Sequence, residues 1–454
     1  MTLRVHAYKD SSLIMKFQKN SLGIVFILIF CFAQTTFGQT ERKLYVGKDS
    51  TEAIMTFDHE VELQSSKVPT DIEAKRHIDR QVLHLFGPMG EALTKAVPKG
   101  NHEITDIEMT LRKRNTYVIR YHYRGMIVLE NGPKKEYKIT LPVNPETVYE
   151  RGLVDGKNPC TDPHYAMEEY FWYFWNPKNE GCLLKEGHDY KRVTTQIQRL
   201  ANTKNTYPEY DRLVDDSGTI HISLLVGMDN PYLDRNPMKS ADVNASNYRK
   251  IQSSLIQLGF KSEGAWTQEQ IFSIATSHPV TLPYVEELKK QTKKAKIVVR
   301  MFFGPSEMDE LSQAFHYFFK DAIENSSVMI YDGHSGLGEY LDLERMEQEE
   351  GFEMQPHQDR YQIYYFNSCS SYPYYNSMFF NRKITDADPK GTKNLDILTN
   401  GLSTYFYVLP DTNLAFLRAI DAWAESKARI SYQKISHEID SGNLFGINGD
   451  EDNE

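Results

Sequence analysis

The sequence is short of positive charge, of long apolar runs and of cysteine. Its 454 residues hold 52 Lys and Arg against 62 Asp and Glu, so the net charge of −10 disfavours nucleic acid as a partner. Beyond the first forty residues no apolar stretch is long enough to span a bilayer. We find no cluster of His, Cys or carboxylates at ligand spacing and therefore predict neither a metal nor another cofactor. Apolar residues still make up 40% of the chain, which predicts that it folds.

The longest apolar run lies near the start of the chain. LGIVFILIFCFA, from Leu22 to Ala33, follows Lys16 and Lys19. Its 12 residues would rise about 18 Å as a helix, whereas a hydrocarbon core is about 30 Å thick. That length and the positive flank are typical of a cleavable secretory signal, so residues 1–38 are predicted to be a signal peptide and the protein to be exported to the periplasm or beyond the cell.

The predicted export bears on the redox state of the cysteines. Once the signal peptide is removed, only Cys160, Cys182 and Cys369 remain, and an odd number outside the cytosol indicates one unpaired thiol. Cys160 and Cys182 flank a run of six aromatic residues, and a bond between them would stabilise the fold by about 3 kcal/mol. This pairing predicts that Cys369 is free.

Composition and turn signals divide the rest of the chain into three regions. Residues 39–150 alternate strand-like and helix-like segments and predict a small α+β domain, with Asn131-Gly132-Pro133 as a hairpin turn signal. Residues 151–210 are irregular and aromatic, and are predicted to be a connector bracketed by the disulfide. Residues 211–454 repeat a strand-then-helix rhythm and end in an acidic tail.

The strand-then-helix rhythm of the last region predicts its fold class. Short apolar strands separated by helices favour an α/β domain with a mostly parallel sheet and helices on both faces. In such folds the functional site lies at the carboxyl ends of the strands. The strand candidates are His221–Met228, Lys296–Phe303, Ser327–Tyr331, Tyr361–Phe366 and Leu395–Thr399.

Two of these strands run into reactive residues. The first continues as Asp332-Gly333-His334-Ser335-Gly336, and the second as Asn367-Ser368-Cys369-Ser370. If the two strands are parallel neighbours, His334 and Cys369 emerge at the same edge of the sheet. A thiol beside an imidazole can become a nucleophilic thiolate, and the imidazolium can protonate a leaving amine.

The two motifs, VMIYDGHSGLG and IYYFNSCSS, resemble those of the caspase, legumain and gingipain group of cysteine peptidases. The resemblance covers roughly residues 211–410. It implies that His334 is the general base and acid and that Cys369 is the nucleophile. It also implies an oxyanion hole made by the amide of Cys369 and one of the amides after His334, at Ser335 or Gly336. Members of the group usually have Gly directly after the His, where this chain has Ser335.

The sequence thus predicts an exported cysteine peptidase that cleaves protein or peptide substrates through an acyl-enzyme; its oligomeric state stays open. Two alternatives remain. The domain could be a catalytically inactive caspase-like module for binding or assembly. Alternatively, Gly333-His334-Ser335-Gly336-Leu337 approximates a nucleophile elbow, which would make Ser335 the nucleophile of a serine hydrolase. That reading needs a downstream histidine, and only His357 and His437 are available.

Overall fold

The computed structural model describes residues 45–91, 95–200, 205–439 and 442–450. The predicted signal peptide, residues 1–38, lies outside the described residues. From residue 45 onward the chain forms one unit that contains two β-sheets, so the protein is a mixed α/β protein. Within the described ranges, no helix has both the length and the apolar character needed to cross a membrane.

The first sheet has five antiparallel strands in the order β2-β3-β1-β5-β4. Alternate residues of β1, such as Ala53, Met55 and Phe57, face a core that also contains Ala74 and Ile78 of α1. The elements in chain order are β1 (Ser50–Gln64), α1 (Asp71–Val82), α2 (Phe86–Glu91), β2 (Ala96–Lys113), β3 (Thr116–Glu130), β4 (Glu136–Pro142), α3 (Val148–Gly152), α4 (Glu168–Phe174) and β5 (Tyr190–Arg199).

The segment predicted as a connector, residues 151–210, contributes both a small core and a strand. Cys160 and Cys182 form a disulfide, with their Cα atoms 4.7 Å apart. Next to this bond, Phe171 and Trp175 are fully buried, so part of the aromatic run packs as an ordinary core. The segment then continues into β5, which pairs with β1 and β4 and thereby belongs to the first sheet.

The second sheet has eight strands in the order β13-β12-β11-β10-β6-β9-β8-β7. Its elements are β6 (Thr219–Gly227), α5 (Val243–Gln257), β7 (Lys261–Ala265), α6 (Gln268–Phe272), β8 (Tyr284–Gln291), β9 (Lys296–Gly304), α7 (Gln313–Asn325), β10 (Val328–Asp332), α8 (Leu343–Glu350), β11 (Gln362–Asn367), α9 (Ser371–Tyr374), α10 (Ser377–Asn381), β12 (Leu395–Thr399), α11 (Leu409–Ala424), α12 (Tyr432–Ile439) and β13 (Gly446–Asn448).

This sheet is mixed. The five central strands, β12-β11-β10-β6-β9, are parallel, as the strand-then-helix rhythm predicts. The edge strands β13, β8 and β7 are antiparallel to their neighbours, so the prediction of a mostly parallel sheet holds for the centre only. For β8 the reason is local: only residues 292–295 join it to β9, which is too short for the crossover that a parallel connection requires.

Helices cover both faces of the second sheet. Along β10, Val328 and Ile330 pack on one side with residues of α5, α11 and α12. Met329 and Tyr331 pack on the other side with residues of α7, α8 and α10. Since the central strands are buried on both faces, most of their residues are apolar.

A buried polar cluster joins the two sheets. Glu52 of β1 is 2% exposed, and one of its carboxylate oxygens lies 3.1 Å from the ammonium of Lys99 on β2. The same oxygen accepts hydrogen bonds from Tyr372 of α9, at 2.5 Å, and from Asn448 of β13, at 3.4 Å. Because Tyr372 is three residues beyond Cys369, the first sheet supports the loop that carries this cysteine.

Candidate active site

The candidate site is built at the carboxyl ends of three neighbouring parallel strands. Asp332, the last residue of β10, is in register with Asn367, the last residue of β11, and with Val226 of β6. His334 and Cys369 each follow the end of their strand by two residues. Because parallel strands end at one edge of a sheet, the fold brings both residues to that edge.

The imidazole of His334 is oriented by an aspartate that the sequence analysis did not identify. Its Nε2 lies 2.9 Å from Oδ1 of Asp229, two residues beyond the end of β6. The ring of Phe406 packs edge-on against the imidazole, with 4.9 Å between ring centroids. The hydroxyl of Tyr331 donates to the backbone carbonyl of His334 at 2.6 Å. The signal available in the sequence was an acidic residue directly after the apolar strand His221–Met228.

The thiol of Cys369 is free and half-buried, and it donates a hydrogen bond to the carbonyl oxygen of Thr404 at 3.6 Å. Burial raises the pKa of the thiol above its ordinary value, although hydrogen bonds with Thr404 and Ser403 partly offset the effect. Partial removal from water therefore disfavours the thiolate that the sequence alone suggested, and the thiol faces a backbone acceptor.

The loop after His334 has an unusual backbone. Gly336, Leu337 and Gly338 all have positive φ angles, of 53°, 54° and 100°. A Cβ atom on Gly336 would lie 2.2 Å from the ring of Tyr340, so only glycine fits there. In the described part of the chain, the amides of Ser335 and Cys369 donate to no backbone carbonyl.

A buried polar network lies beneath the site and joins the ends of β10, β11 and β12. The Asn413 amide group donates to Asp332 Oδ2 at 2.6 Å, and its oxygen accepts from the amide of Asn367 at 2.7 Å. Asn400 donates to the side-chain oxygen of Asn367 at 3.1 Å. Burial raises the pKa of the Asp332 carboxyl to about 7, and the hydrogen bond from Asn413 only partly opposes this shift. The network fixes the spacing of the strand ends that carry His334 and Cys369.

The residues that the serine hydrolase alternative requires do not lie together in the fold. Ser335 is 5% exposed, and its carbonyl accepts a hydrogen bond from the hydroxyl of Tyr375 at 2.8 Å. His357 precedes β11 and therefore lies toward the amino ends of the parallel strands, opposite the candidate site. His437 is exposed on α12, which packs on one face of the sheet.

Searches for related proteins and for metal sites yield no match. Among the described residues, no group of three or more His, Cys, Asp or Glu side chains could hold a metal ion. No known protein family, curated protein or solved structure matches the chain.

Proposed function

We propose that the protein is an exported, caspase-like cysteine peptidase. In this proposal Cys369 is the nucleophile, His334 carries the proton and Asp229 orients the imidazole. The observation that carries the proposal is the parallel register of β6, β10 and β11, together with the 2.9 Å contact between His334 and Asp229. Export rests on the apolar run in residues 1–38, which has the length of a secretory signal.

The chemistry follows from the orientation of the imidazole. With Nε2 directed at Asp229, Nδ1 is the nitrogen left to take the proton of the Cys369 thiol as sulfur attacks the substrate carbonyl carbon. The resulting oxyanion would be held by the amides of Cys369 and of Ser335 or Gly336. The protonated His334 then gives its proton to the leaving amine, and water hydrolyses the thioester that remains on sulfur.

The raised pKa of Cys369 favours a particular version of this mechanism. A thiol that is protonated at rest is activated by general-base catalysis during the attack, not by a preformed thiolate–imidazolium pair. A substrate chain entering beside residues 403–406 would take the place of the contact between the thiol and the carbonyl of Thr404. We therefore expect slow reaction with small alkylating reagents and faster reaction with reagents that carry a peptide.

A non-catalytic binding or assembly module is the second candidate. It is favoured by the same hydrogen bond from Cys369 to Thr404 and by the raised pKa of the thiol, because an idle site would also contain a thiol that packs against a backbone carbonyl. Ser335 is a weaker nucleophile candidate than Cys369 because it is buried and its candidate histidines lie elsewhere in the fold.

The proposal is tested by incubating the protein with a mixture of synthetic peptides and identifying the cleaved bonds by mass spectrometry. Cys369→Ala should abolish cleavage, and His334→Ala should lower kcat/KM by about 10²- to 10⁴-fold. Asp229→Asn should lower kcat by about 10- to 100-fold and displace the pH profile, because it removes an orienting partner of the imidazole.

Ser335→Ala is the matched control, because it removes a hydroxyl from the same edge of the sheet and should leave cleavage intact. Cleavage that survives Cys369→Ala but is lost in Ser335→Ala would support the serine hydrolase instead. If no peptide is cleaved, and a peptidyl chloromethyl ketone labels Cys369 no faster than iodoacetamide does, the peptidase proposal fails and the binding module stands.

A further inference from the structure

A cavity of about 450 Å³ opens beside Cys369, between the first sheet and the loops of the candidate site. The start of β2 forms one wall, and Tyr173 and Phe174 of α4 form the second. The third wall includes residues that follow the candidate catalytic groups: Leu337, three residues after His334, and Ser370, the residue after Cys369. The volume falls within the range of ligand-binding pockets.

Several contacts bring this cavity close to the sulfur of Cys369. Ser370 is its chain neighbour, and Ser403, another lining residue, precedes the Thr404 whose carbonyl accepts the thiol hydrogen. Tyr374, which lines the cavity, lies near enough to the sulfur that a charge on Cys369 would add to burial and Tyr173 in raising the pKa of Tyr374. A group attached to Cys369, or reacting with it, is therefore next to the cavity.

The cavity wall is mainly apolar and includes four aromatic rings. The ring of Phe86 lies 4.9 Å from that of Tyr173 and 6.2 Å from that of Tyr374, measured between centroids. Phe174 is supported from behind by Tyr165, with the two rings stacked at 3.9 Å. These rings form a braced apolar surface, and an apolar group that enters the cavity would be removed from water there.

Charge in the cavity is largely neutralised by the protein. Lys95 is the charged residue of the lining, and its ammonium donates to the carbonyl of Gly442 at 3.0 Å and lies 3.8 Å from a carboxylate oxygen of Glu130. The backbone at the site-facing wall is strained, since Leu337 and Ser370 have φ angles of 54° and 47°. Such strain in residues other than glycine is found mainly at functional positions.

We infer that this cavity is a substrate subsite that takes an aromatic or large apolar side chain of the polypeptide, next to the bond that is cleaved. The inference rests on the proposed function for the identity of the occupant, because the cavity adjoins the nucleophile of that proposal. The first sheet and the disulfide-bracketed segment then have a role in the site: they supply two of the three walls that select the side chain.

Thiosulfonate labelling of Cys369 tests the cavity without requiring peptidase activity. Three methanethiosulfonates are compared, carrying a 2-phenylethyl, a 2-carboxyethyl or a 2-aminoethyl group. In each reaction the Cys369 thiolate attacks the sulfenyl sulfur, forms a mixed disulfide and releases methanesulfinate. The rate at Cys369 is read by peptide mapping and divided by the rate for the same cysteine in urea-unfolded protein, which removes the intrinsic reactivity of each reagent.

The normalised rate for the phenylethyl reagent should exceed that of both charged reagents by about tenfold. Phe174→Ala should reduce this preference, and so should Ser403→Phe, which places a ring into the cavity from an exposed loop position. Tyr407→Ala is the matched control: it removes an exposed aromatic side chain from the same loop, outside the cavity, and should leave the preference unchanged.

Two results separate this inference from the proposed function. Equal normalised rates for the three reagents would overturn the inference, even if the protein cleaves peptides. A preference for the phenylethyl reagent in a protein that cleaves no peptide would overturn the proposed function. The cavity would still be a site for aromatic or large apolar groups. If peptides are cleaved, those with Phe, Tyr, Trp or Leu beside the cleaved bond should be enriched, and Phe174→Ala should weaken that enrichment.

Discussion

The buried carboxyl of Asp332 should make the protein less stable as the pH rises from 5 to 8. Asp332 is fully buried, and its Oδ1 has no hydrogen-bond partner among the described residues. Burial raises its pKa from 3.8 to about 7. The folded protein therefore holds a proton that the unfolded chain releases, so the contribution of Asp332 is most favourable below pH 4 and is lost as the pH rises through 7.

The magnitude follows from the two pKa values. Linkage gives a cost of about 1.7 kcal/mol at pH 5 and about 4 kcal/mol at pH 8, relative to a carboxyl that stays protonated. The wild-type protein should thus lose about 2.5 kcal/mol from this group between pH 5 and pH 8. Asp332→Asn keeps the shape of the side chain and cannot ionise, so its stability should lack this loss.

The assay is urea unfolding of the wild-type protein and of Asp332→Asn, followed by tryptophan fluorescence at pH 5, 6, 7 and 8. The difference in unfolding free energy between the two proteins should shift by about 2.5 kcal/mol in favour of the variant across this range. Subtraction removes the other titrating groups, which both proteins share. Asp386→Asn, which changes an exposed carboxyl outside the buried network, is the control variant in the same assay.

The reasoning is refuted if the difference between wild type and Asp332→Asn varies by less than about 0.5 kcal/mol over these three pH units. The carboxyl would then be solvated, or would have a partner that keeps it ionised. If Asp332→Asn is less stable than wild type by the same amount at all four pH values, the prediction also fails. Such a difference would reflect only a weakened hydrogen bond with Asn413.

Two further predictions concern the junction of the sheets and the disulfide. Glu52→Gln should lower the unfolding free energy by about 3 kcal/mol, because it leaves the part-buried ammonium of Lys99 without its charged partner; a loss below about 1 kcal/mol in urea unfolding would contradict this. Replacing both Cys160 and Cys182 by Ser should cost about 3 kcal/mol through the freed loop, measured in the same way. Non-reducing peptide mapping of the wild-type protein should recover these two cysteines in one linked peptide, and either of them linked to Cys369 would contradict the pairing.

Local sequence patterns were sufficient to predict the parallel strands at the centre of the second sheet. The apolar strands ending at Asp332 and Asn367 are parallel neighbours in register, and the residues that follow them share one edge. This could be predicted because a strand buried on both faces leaves an apolar run, and because consecutive strands joined by a helix are usually parallel.

Local sequence patterns could not predict which strands pair in the first sheet. Asn131-Gly132-Pro133 predicted a hairpin, yet β3 pairs with β1 and β2, while β4 pairs with β5. Strand β5, in the segment predicted as a connector, inserts between β1 and β4. A turn signal reports only the local backbone, whereas strand order depends on which apolar faces meet across the whole sheet.

The sequence by itself determined the central strands of the second sheet, the two motifs at their ends and the disulfide partners, because local apolar patterns and spacing along the chain indicate each of them. Only the tertiary structure decided that Asp229 meets His334, that the thiol of Cys369 faces Thr404, and that β2 and α4 wall a cavity beside it. These contacts join residues far apart in the chain, and the burial that raises the pKa values of Cys369 and Asp332 exists only once the sheets and helices have packed.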